Sequence, residues 1–409
     1  MFDDMGDARM EMEPMEAVHI RPLENRQELA ACYDLWNEVF PNGRAFFQRR
    51  LDLDADYDLE TTWVAIANGK IVSAAQVFAY DTWIADVQVK NAGIGNVATL
   101  KAYRGRGFAR QILRQVGKWM TANQYDLSLL FTGSFSFYEQ IGWERHLESV
   151  WTIGREPLTQ HLLAVAPLAE IRPFADADLA SVAALYDQFN LQRTGARVRS
   201  EAYWKGLAQW SYDESMVVEE QGKIAVYARF SRYPSDVLEI KELVYDIGHG
   251  QAAVSLVRSL LHAFPDVAEV RTRMPQEHAL SAVFAQAGGE RQAYDPMMWK
   301  VVDSASLLAK LRPILARRAA GLSLDRPMRV LWQVGDRDLL LTVAPAGVEA
   351  REATGAIAYE MRVKTSISEF VHLWLWGAAT IGNPQLSENG LLRALFPEQP
   401  GILWSSDFF

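Results

Sequence analysis

One short stretch of the sequence joins a strand, a glycine-containing turn and a helix: Val97-Ala98-Thr99-Leu100-Lys101-Ala102-Tyr103-Arg104-Gly105-Arg106-Gly107-Phe108-Ala109. From Arg104 onward it follows the pattern Arg-x-x-Gly-x-Ala and opens an amphipathic helix. Glycine lets the backbone approach a ligand closely, and the unpaired N–H groups of a first helical turn form an anion site. The helix dipole adds roughly 0.3–1 kcal/mol for a negative group at that end. The stretch therefore predicts a loop that holds a pyrophosphate.

The charge around this loop is opposite in sign to that of the whole chain. The formal net charge is −10, yet no acidic residue lies between Val97 and Tyr125. The same interval contains the basic residues Lys101, Arg104, Arg106, Arg110, Arg114 and Lys118. A phosphate-bearing ligand fits such a basic island. The run of basic residues by itself is equally typical of a solvated helix face.

The composition bounds the class of protein. A chain of 409 residues that is 49% hydrophobic and 22% charged can form two or three globular domains with substantial cores. Its one cysteine, Cys32, excludes a disulfide framework and a cysteine zinc cluster, and we expect it in the core. The negative net charge disfavours nucleic-acid binding. Since the sequence has an acidic N-terminal segment and no run of about 18 apolar residues, we expect a cytoplasmic protein that does not bind membranes.

An internal repeat organises the chain between residues 17 and 301, because three pieces recur in the same order at similar offsets. They are Ile20-Arg21-Pro22 with Ile171-Arg172-Pro173, Gly69-Lys70-Ile71 with Gly222-Lys223-Ile224, and Tyr138–Arg145 with Phe284–Arg291. The sequence therefore predicts a mobile tail at 1–16, one copy of a domain at 17–155, a second copy at 168–301 and a separate α+β unit at 302–409.

Hydrophobic patterns also predict particular elements. A last strand of the first copy is expected near 146–153, and the final unit is expected to hold a strand at 356–362 and a helix near 386–395.

The two copies differ where a ligand would bind. In the second copy, the segment Tyr245–Gly250 replaces the arginine–glycine loop, and Phe284 replaces Tyr138. The ring is kept and the hydroxyl is lost. This difference predicts that the first copy binds the phosphate ligand and uses the Tyr138 hydroxyl, whereas the second copy serves as scaffold.

The loop and a second motif resemble those of a known enzyme family. Val97–Leu100 leading into Arg104–Ala109 resembles the acetyl-CoA signature [QR]-x-x-G-x-[GA] of the GNAT N-acetyltransferases, and Phe137–Trp143 resembles their F/Y-Y-x-x-x-G-F/W segment. With the degenerate second copy, the further α+β unit and the terminal phenylalanine, nearly the whole chain resembles the Eis (enhanced intracellular survival) acetyltransferases. The resemblance implies an α/β (α+β) fold with tandem GNAT domains and a sterol carrier protein-like domain that ends in the active site. It also implies a homo-oligomer, a hexamer.

The resemblance further implies acetyl-CoA as the cosubstrate, no metal, and a role for individual residues. The residues that it assigns to acetyl-CoA are Val97, Ala98, Thr99, Arg104, Gly105, Arg106, Gly107, Phe108 and Ala109. Tyr138 would be the general acid for the leaving thiolate, since a phenol with a pKa of about 10 is a competent donor. The free carboxylate of Phe409 would be the base. Its usual pKa of about 3.3–3.7 requires that it be desolvated, act through water, or mainly orient the cation.

Aromatic and acidic residues are the candidates to line the expected amine pocket. They are Trp36, Phe40, Phe131, Asp407 and Phe408. Helical spacing alone places Trp36 in a core, and surface solvation explains Asp407 equally well. His146 is a further candidate base, although a strand histidine is more often structural. The spacing of histidines and carboxylates favours no metal site.

Two functions fit these residues. The first is acetyl-CoA-dependent transfer of an acetyl group to primary amines of a cationic small molecule, aminoglycoside-like or polyamine-like, or to lysine. The resemblance favours aminoglycosides. The alternative is a binding protein in which a GNAT scaffold senses an acyl-CoA or a lipid without turnover. The first function requires Tyr138 and Phe409, whereas the second does not.

Overall fold

We describe the chain from a computed structural model that covers residues 18–54, 56–146, 148–166, 171–210, 213–294 and 296–409. The tail expected at 1–16 lies outside the described residues. Within them the chain forms sheets of eight, seven and four strands with helices packed against them. The mixed α/β class predicted from the sequence is confirmed.

The first unit is a sheet that carries helices on both faces. Its elements are β1 (His19–Pro22), α1 (Arg26–Val39), α2 (Arg44–Asp52), β2 (Thr62–Ala67), β3 (Lys70–Ile84), β4 (Val87–Thr99), α3 (Phe108–Ala122), β5 (Leu127–Phe131), α4 (Phe135–Glu139) and β6 (Glu144–Arg145). The helix α1 begins where the side chain of Asn25 accepts a hydrogen bond from the Glu28 amide. Apolar residues of α1 and α3 fill separate cores on the two faces, and Cys32 is buried in the core under α1.

From β8 to β14 the second unit repeats the order of elements of the first, with the short strand β9 added. Its elements are β7 (Glu148–Gly154), α5 (Arg155–Leu162), β8 (Ile171–Pro173), α6 (Leu179–Asn190), β9 (Arg197–Val198), α7 (Glu201–Trp210), β10 (Glu214–Glu220), β11 (Lys223–Ser231), β12 (Val237–Tyr245), α8 (Gly250–Ala263), β13 (Glu269–Thr272), α9 (Ala279–Gln286), β14 (Glu290–Tyr294) and β15 (Met297–Val301).

The repeated Ile-Arg-Pro motif makes the same contacts in both units. Arg21 donates two hydrogen bonds to the Glu28 carboxylate in the first turn of α1. Arg172 donates two to the Asp178 carboxylate just before α6. Such bidentate pairs fix the angle between a strand and the following helix as well as adding attraction. The motif is therefore repeated because it joins the same two elements twice.

The two units exchange a strand. The order in the first sheet is β1-β2-β3-β4-β5-β15-β6, with β9 as an eighth strand that pairs with β3. The order in the second sheet is β8-β10-β11-β12-β13-β7-β14. In the first sheet β15 pairs with β5 and β6, and in the second β7 pairs with β13 and β14. The strand expected near 146–153 does form, as β7, but it completes the second sheet instead of the first. Strand pairing therefore crosses the boundary expected between the copies at 17–155 and 168–301.

The third unit contains a four-stranded sheet. Its elements are α10 (Ser304–Ala319), β16 (Met328–Val334), β17 (Arg337–Ala344), β18 (Gly347–Glu352), β19 (Met361–Thr365), α11 (Ile367–Leu375), α12 (Pro384–Ser387) and α13 (Gly390–Leu395). The sheet order is β18-β17-β16-β19.

Two expectations for the third unit were wrong. No single strand spans the expected range 356–362. Instead, β18 ends before this range and β19 begins near its end. The edge strand β18 buries only Val348, so it lacks the alternating pattern by which a strand is predicted from sequence. The single helix expected near 386–395 is two helices, because the Asn389 side chain accepts from the Leu392 amide and starts α13 afresh.

The third unit packs onto the first through one shared core. Ile84, Val89 and Leu129 of the first sheet and Trp299 of β15 lie in the same cluster as residues of α10, α11 and the third sheet. At its edge Lys310 Nζ lies 2.5 Å from the Asp126 carboxylate. No helix among the residues described is long and apolar enough to cross a membrane.

The position of Trp299 leads to a test of this arrangement. Trp299 is fully buried where β15 meets the third unit, and cutting a buried tryptophan to alanine leaves a cavity. We expect Trp299→Ala to lower the free energy of unfolding by about 3–5 kcal/mol, measured by urea titration with circular dichroism. Tyr359→Ala, at a side chain that is 44% exposed, is the control. Equal effects of the two substitutions would contradict the shared core.

Candidate active site

The strands β4 and β5 run side by side in parallel and then separate. Their pairing ends at Ile94 opposite Leu130, whereas β4 continues to Thr99. The register of β4 with β3 shifts beside Asn96, whose φ of 52° lies in the left-handed region. The indole N–H of Trp36 donates to the Asn96 carbonyl at 2.6 Å. This bulge bends β4 away from β5 and leaves a wedge-shaped opening between them.

The arginine–glycine loop lies at the end of β4 and opens α3. Gly107 is the residue before the helix, and its φ of 78° is one that residues with a side chain rarely adopt. The first helical hydrogen bond runs from the Gln111 amide to the Gly107 carbonyl. The amides of the preceding turn are therefore available to an anion at the helix N-terminus. Arg104 Nε donates to the Thr99 carbonyl at 3.1 Å and ties the loop back to β4.

Tyr138 belongs to α4, on the α3 side of the first sheet. It is only 9% exposed, and its ring lies 4.9 Å from the ring of Phe137, centroid to centroid. Burial raises the pKa of Tyr138 to about 12. The hydroxyl therefore stays protonated at neutral pH and has a proton to donate.

The chain ends against the other side of β4. The ring of Phe409 stacks on Phe78 with centroids 5.0 Å apart and lies 5.5 Å from Phe131. It occupies space that only a glycine leaves, since a Cβ at Gly93 would lie 2.4 Å from the Phe409 ring. Phe408 packs on Phe131 at 4.2 Å. Tyr138 shares a core with Ile94 and Leu130, the last paired residues of β4 and β5, whereas Phe409 packs against Gly93 and Gly95 on the other face of β4.

A buried ion network holds this end of the chain in place. Arg199 of the second unit donates from Nε and Nη2 to the two Asp407 carboxylate oxygens at 3.0 and 2.9 Å. It also contacts the Glu242 carboxylate at 2.5 Å, and the side chains of Arg199 and Glu242 are both 0% exposed. Asp407 was expected to face the amine in the pocket. That expectation is corrected, because its carboxylate is engaged by Arg199 and anchors the C-terminal segment.

A cavity of about 740 Å³ opens beside Phe409, between the first two units. Residues of both units and of the C-terminal segment line it, among them Phe46, Phe78, Asn96, Tyr233, Phe408 and Phe409. The sequence predicted Phe408 and Phe409 at the site but not Phe46 or Tyr233. A signal for Phe46 existed, since Phe46 and Phe47 are adjacent in a helix and cannot both face the core.

Of the five expected pocket residues, only Phe408 lines the cavity. Phe131 packs on the rings of Phe408 and Phe409 and, like Asp407, is not part of the lining. Trp36 is fully buried in the core beneath α1, where it shapes the bulge at Asn96, as helical spacing alone indicated. Phe40 is 41% exposed and packs on Phe47 at 5.9 Å. The pocket assignment of Trp36 and Phe40 is therefore corrected.

His146, the alternative base, lies elsewhere. It lines a separate cavity of about 520 Å³ and stacks on Trp376 with centroids 5.0 Å apart. Burial, together with the neighbouring His372, lowers the pKa of His146 to about 3. Its ring is neutral at pH 7, but it lines a different cavity from Phe409. The geometry therefore favours the structural interpretation of this histidine.

The corresponding opening in the second unit is closed by side chains. The pairing of β12 with β13 ends at Ile240 opposite Thr272, and β12 continues to Tyr245. A ring nitrogen of His278 lies 3.1 Å from the Leu243 carbonyl, and the Tyr245 hydroxyl accepts from the Ala279 amide. The backbone groups exposed in the first unit are thus occupied in the second. This geometry supports the prediction that the second copy serves as scaffold.

Comparison with known proteins identifies the first unit. Residues 19–146 match the family model described as acetyltransferase (GNAT) domain. The chain therefore carries a GNAT acetyltransferase domain and is an acyltransferase enzyme. The GNAT part of the resemblance drawn from the loop is confirmed. No curated protein sequence matches the chain.

Solved structures similar to this chain extend over nearly its whole length. A conserved protein of Enterococcus faecalis described as a probable N-acyltransferase is 16% identical with a TM-score of 0.72, covering 96% of this chain and 100% of that one. A GCN5-related N-acetyltransferase from Anabaena variabilis is 16% identical with a TM-score of 0.67 and the same coverages. Eis1 from Mycobacterium abscessus is 14% identical with a TM-score of 0.65, again covering 96% and 100%. At this level of identity the similarity shows a shared fold. The layout of this chain is consistent with tandem GNAT domains followed by an α+β domain.

The ion network at Asp407 can be tested directly. Arg199→Met would leave two carboxylates, Glu242 and Asp407, without their shared cation. We expect the free energy of unfolding to fall by about 3–5 kcal/mol and amide exchange in residues 402–409 to accelerate, measured by urea titration and hydrogen exchange. Arg337→Met, which breaks an ion pair whose arginine is 67% exposed, is the matched control. An unchanged exchange rate in 402–409 would show that Arg199 does not hold the C-terminal segment.

Proposed function

We propose that this enzyme transfers an acetyl group from acetyl-CoA to a primary amine, on a small molecule or a lysine side chain, by direct attack. The observation that carries the proposal is the β4–β5 opening, which has an anion-accepting loop at one end and a protonated tyrosine and the chain terminus on its two sides. An opening of this kind brings a thioester and an amine together without a covalent enzyme intermediate.

Acetyl-CoA would bind along the free edge of β4. Backbone groups of Val97, Ala98 and Thr99 lie beyond the last β5 pair and would bond the pantetheine arm as an added strand does. The amides of Arg104–Ala109 would hold the pyrophosphate at the start of α3. The exposed guanidinium groups around the loop add attraction for the phosphates.

Transfer of the acetyl group involves two proton transfers, one to the leaving thiolate and one from the amine. The neutral amine nitrogen attacks the thioester carbonyl carbon, so that a C–N bond forms and the carbonyl oxygen becomes an oxyanion. Collapse of this intermediate breaks the C–S bond, and the Tyr138 hydroxyl gives its proton to the departing thiolate. Backbone N–H groups at the β4 bulge are the natural donors to the oxyanion. The amine proton leaves to the carboxylate of Phe409.

The carboxylate of Phe409 is a weak base by its ordinary pKa. Its aromatic surroundings support the role, because Phe78, Phe131 and Phe408 limit the access of water to the end of the chain. A desolvated carboxylate holds protons more tightly and also orients an approaching ammonium. The proton is removed as the C–N bond forms, when the nitrogen is most acidic.

The resemblance adds three finer expectations that rest on it alone. The third unit would have the sterol carrier protein fold, the chain would assemble as a hexamer, and the substrate would be a cationic amine of the aminoglycoside or polyamine kind. The burial of Leu307, Leu311 and Trp374 supports a packed α+β unit.

Tyr138→Phe tests the general acid. The substitution keeps the ring and removes the proton donor, so we expect kcat to fall about a hundredfold while the KM for acetyl-CoA is unchanged, measured by release of free thiol. Tyr125→Phe is a matched control in the same core, since Tyr125 is also 9% exposed and its pKa is also raised to about 12 by burial. Unchanged turnover by the Tyr138 variant would exclude the Tyr138 hydroxyl as the proton donor to the thiolate.

A single glycine added after Phe409 tests the base. The extension preserves the stacked ring but moves the carboxylate away from it. We expect kcat to fall at least tenfold, toward the lower end of the effects usual for an acid or base, with acetyl-CoA affinity unchanged by calorimetry. Full activity of the extended chain would exclude the terminal carboxylate as the base.

A further inference from the structure

The charged and aromatic groups around the cavity carry an inference about the substrate. We propose that the amine substrate has a single positive charge on an aromatic or otherwise apolar body, and is not a polycation. The inference rests on the proposed function, since it concerns the acceptor of the acetyl group. It departs from the resemblance, which implies a polycationic acceptor of the aminoglycoside or polyamine kind.

The acidic side chains that line the cavity already have basic partners. Asp213 lies 2.8 Å from Lys241 Nζ and 3.1 Å from Arg229 Nε. Glu214 lies 2.7 Å from Arg232 Nη2. Because these carboxylates are compensated, further ammonium groups would lose their hydration and meet Lys241 and Arg232 without a free carboxylate in exchange.

The third lining cation is also compensated. Arg50 pairs with Asp54 at 2.8 Å, outside the cavity lining, and its guanidinium lies 5.3 Å from the centre of the Phe78 ring. The ion pairs of the described residues thus account for the lining side-chain charges and leave the terminal carboxylate of Phe409. One carboxylate serves one amine, and that amine is the one that reacts.

Aromatic side chains from the first two units and the C-terminal segment line the cavity. Phe46 of the first unit is 50% exposed and Tyr233 of the second is 88% exposed, and both belong to the lining. Phe78, Phe408 and Phe409 line it as well. Exposed aromatic rings gathered in one concavity mark a binding surface for apolar groups. An aromatic body between Phe46 and Tyr233 would remove this surface from water.

The neutral polar groups of the cavity suit such a ligand. Ser406 is 7% exposed, and among the residues described its hydroxyl has no hydrogen-bond partner although it is buried. Ser406 lines the cavity beside Phe408. A hydroxyl both donates and accepts, so it can bind a neutral amine or a polar substituent without adding charge.

A panel of amines tests the inference on the full-length enzyme. We would measure kcat/KM at saturating acetyl-CoA and one pH for 2-phenylethylamine, tyramine, spermidine and kanamycin, by thiol release. We expect the two aromatic monoamines to exceed spermidine and kanamycin at least tenfold. Calorimetric titration of acetyl-CoA alone is run beside the panel.

Two substitutions test whether the aromatic lining and the paired carboxylates cause this preference for aromatic monoamines. Phe46→Ser removes one aromatic wall, and we expect kcat/KM for 2-phenylethylamine to fall about tenfold, whereas Tyr359→Ser at an exposed ring outside the cavity lining leaves it unchanged. Arg232→Gln frees Glu214, and we expect kcat/KM for spermidine to rise several-fold relative to 2-phenylethylamine. Arg337→Gln, at the exposed pair with Glu352, is the matched control.

The outcomes are distinguishable. Preference for aromatic monoamines that is lost in Phe46→Ser supports the inference. Higher kcat/KM for spermidine or kanamycin, or a Phe46→Ser variant with unchanged kcat/KM for 2-phenylethylamine, overturns the substrate class and leaves the proposed function standing. Acetyl-CoA binding without turnover of any amine overturns the proposed function itself.

Discussion

A guanidinium group that is fully removed from water ties the three parts of this molecule together. Arg199 can be buried only because Glu242 and Asp407 compensate its charge. Glu242 lies in the second sheet, whereas Asp407 belongs to the C-terminal segment that follows the third unit. The demand for charge compensation therefore fixes where this segment runs. Two residues further on, Phe409 stacks on Phe78 and packs against Gly93 of the first sheet.

The proposed function gives the second unit a structural role. It has neither the arginine–glycine loop nor a tyrosine at the position that corresponds to Tyr138. Its His278 and Tyr245 side chains bond the Leu243 carbonyl and the Ala279 amide. It nevertheless provides β15 to the first sheet, one wall of the cavity and the cation that anchors Asp407. A duplicated domain can lose its own site when its sibling comes to depend on its strands and side chains. Such dependence explains why a copy without a site is retained as an intact fold.

Short sequence patterns predicted turns and helix starts correctly, but they did not predict pairing between strands that are distant in the sequence. The turn at Gly107 and the start of α3 follow from short spacings in the sequence, and the structure agrees with both. The exchange of β7 and β15 could not be predicted from the sequence. Both segments have strand patterns, but such a pattern does not indicate which sheet a strand joins. Asp407 was assigned wrongly since its partner, Arg199, lies far away in the sequence. Trp36 and Phe40 show the same limit, because an aromatic residue near a site can support it from beneath as readily as line it.

The exchanged strands also constrain the order in which the chain can fold. During synthesis β5 emerges long before β15, so the first sheet has no strand to place between β5 and β6 until most of the second unit has been made. The edge of β5 stays unpaired through that interval and is open to wrong partners. Pairings between distant segments are slow to form because the intervening chain must first be ordered. A chain built in this way completes its first sheet only after most of the second unit has been made.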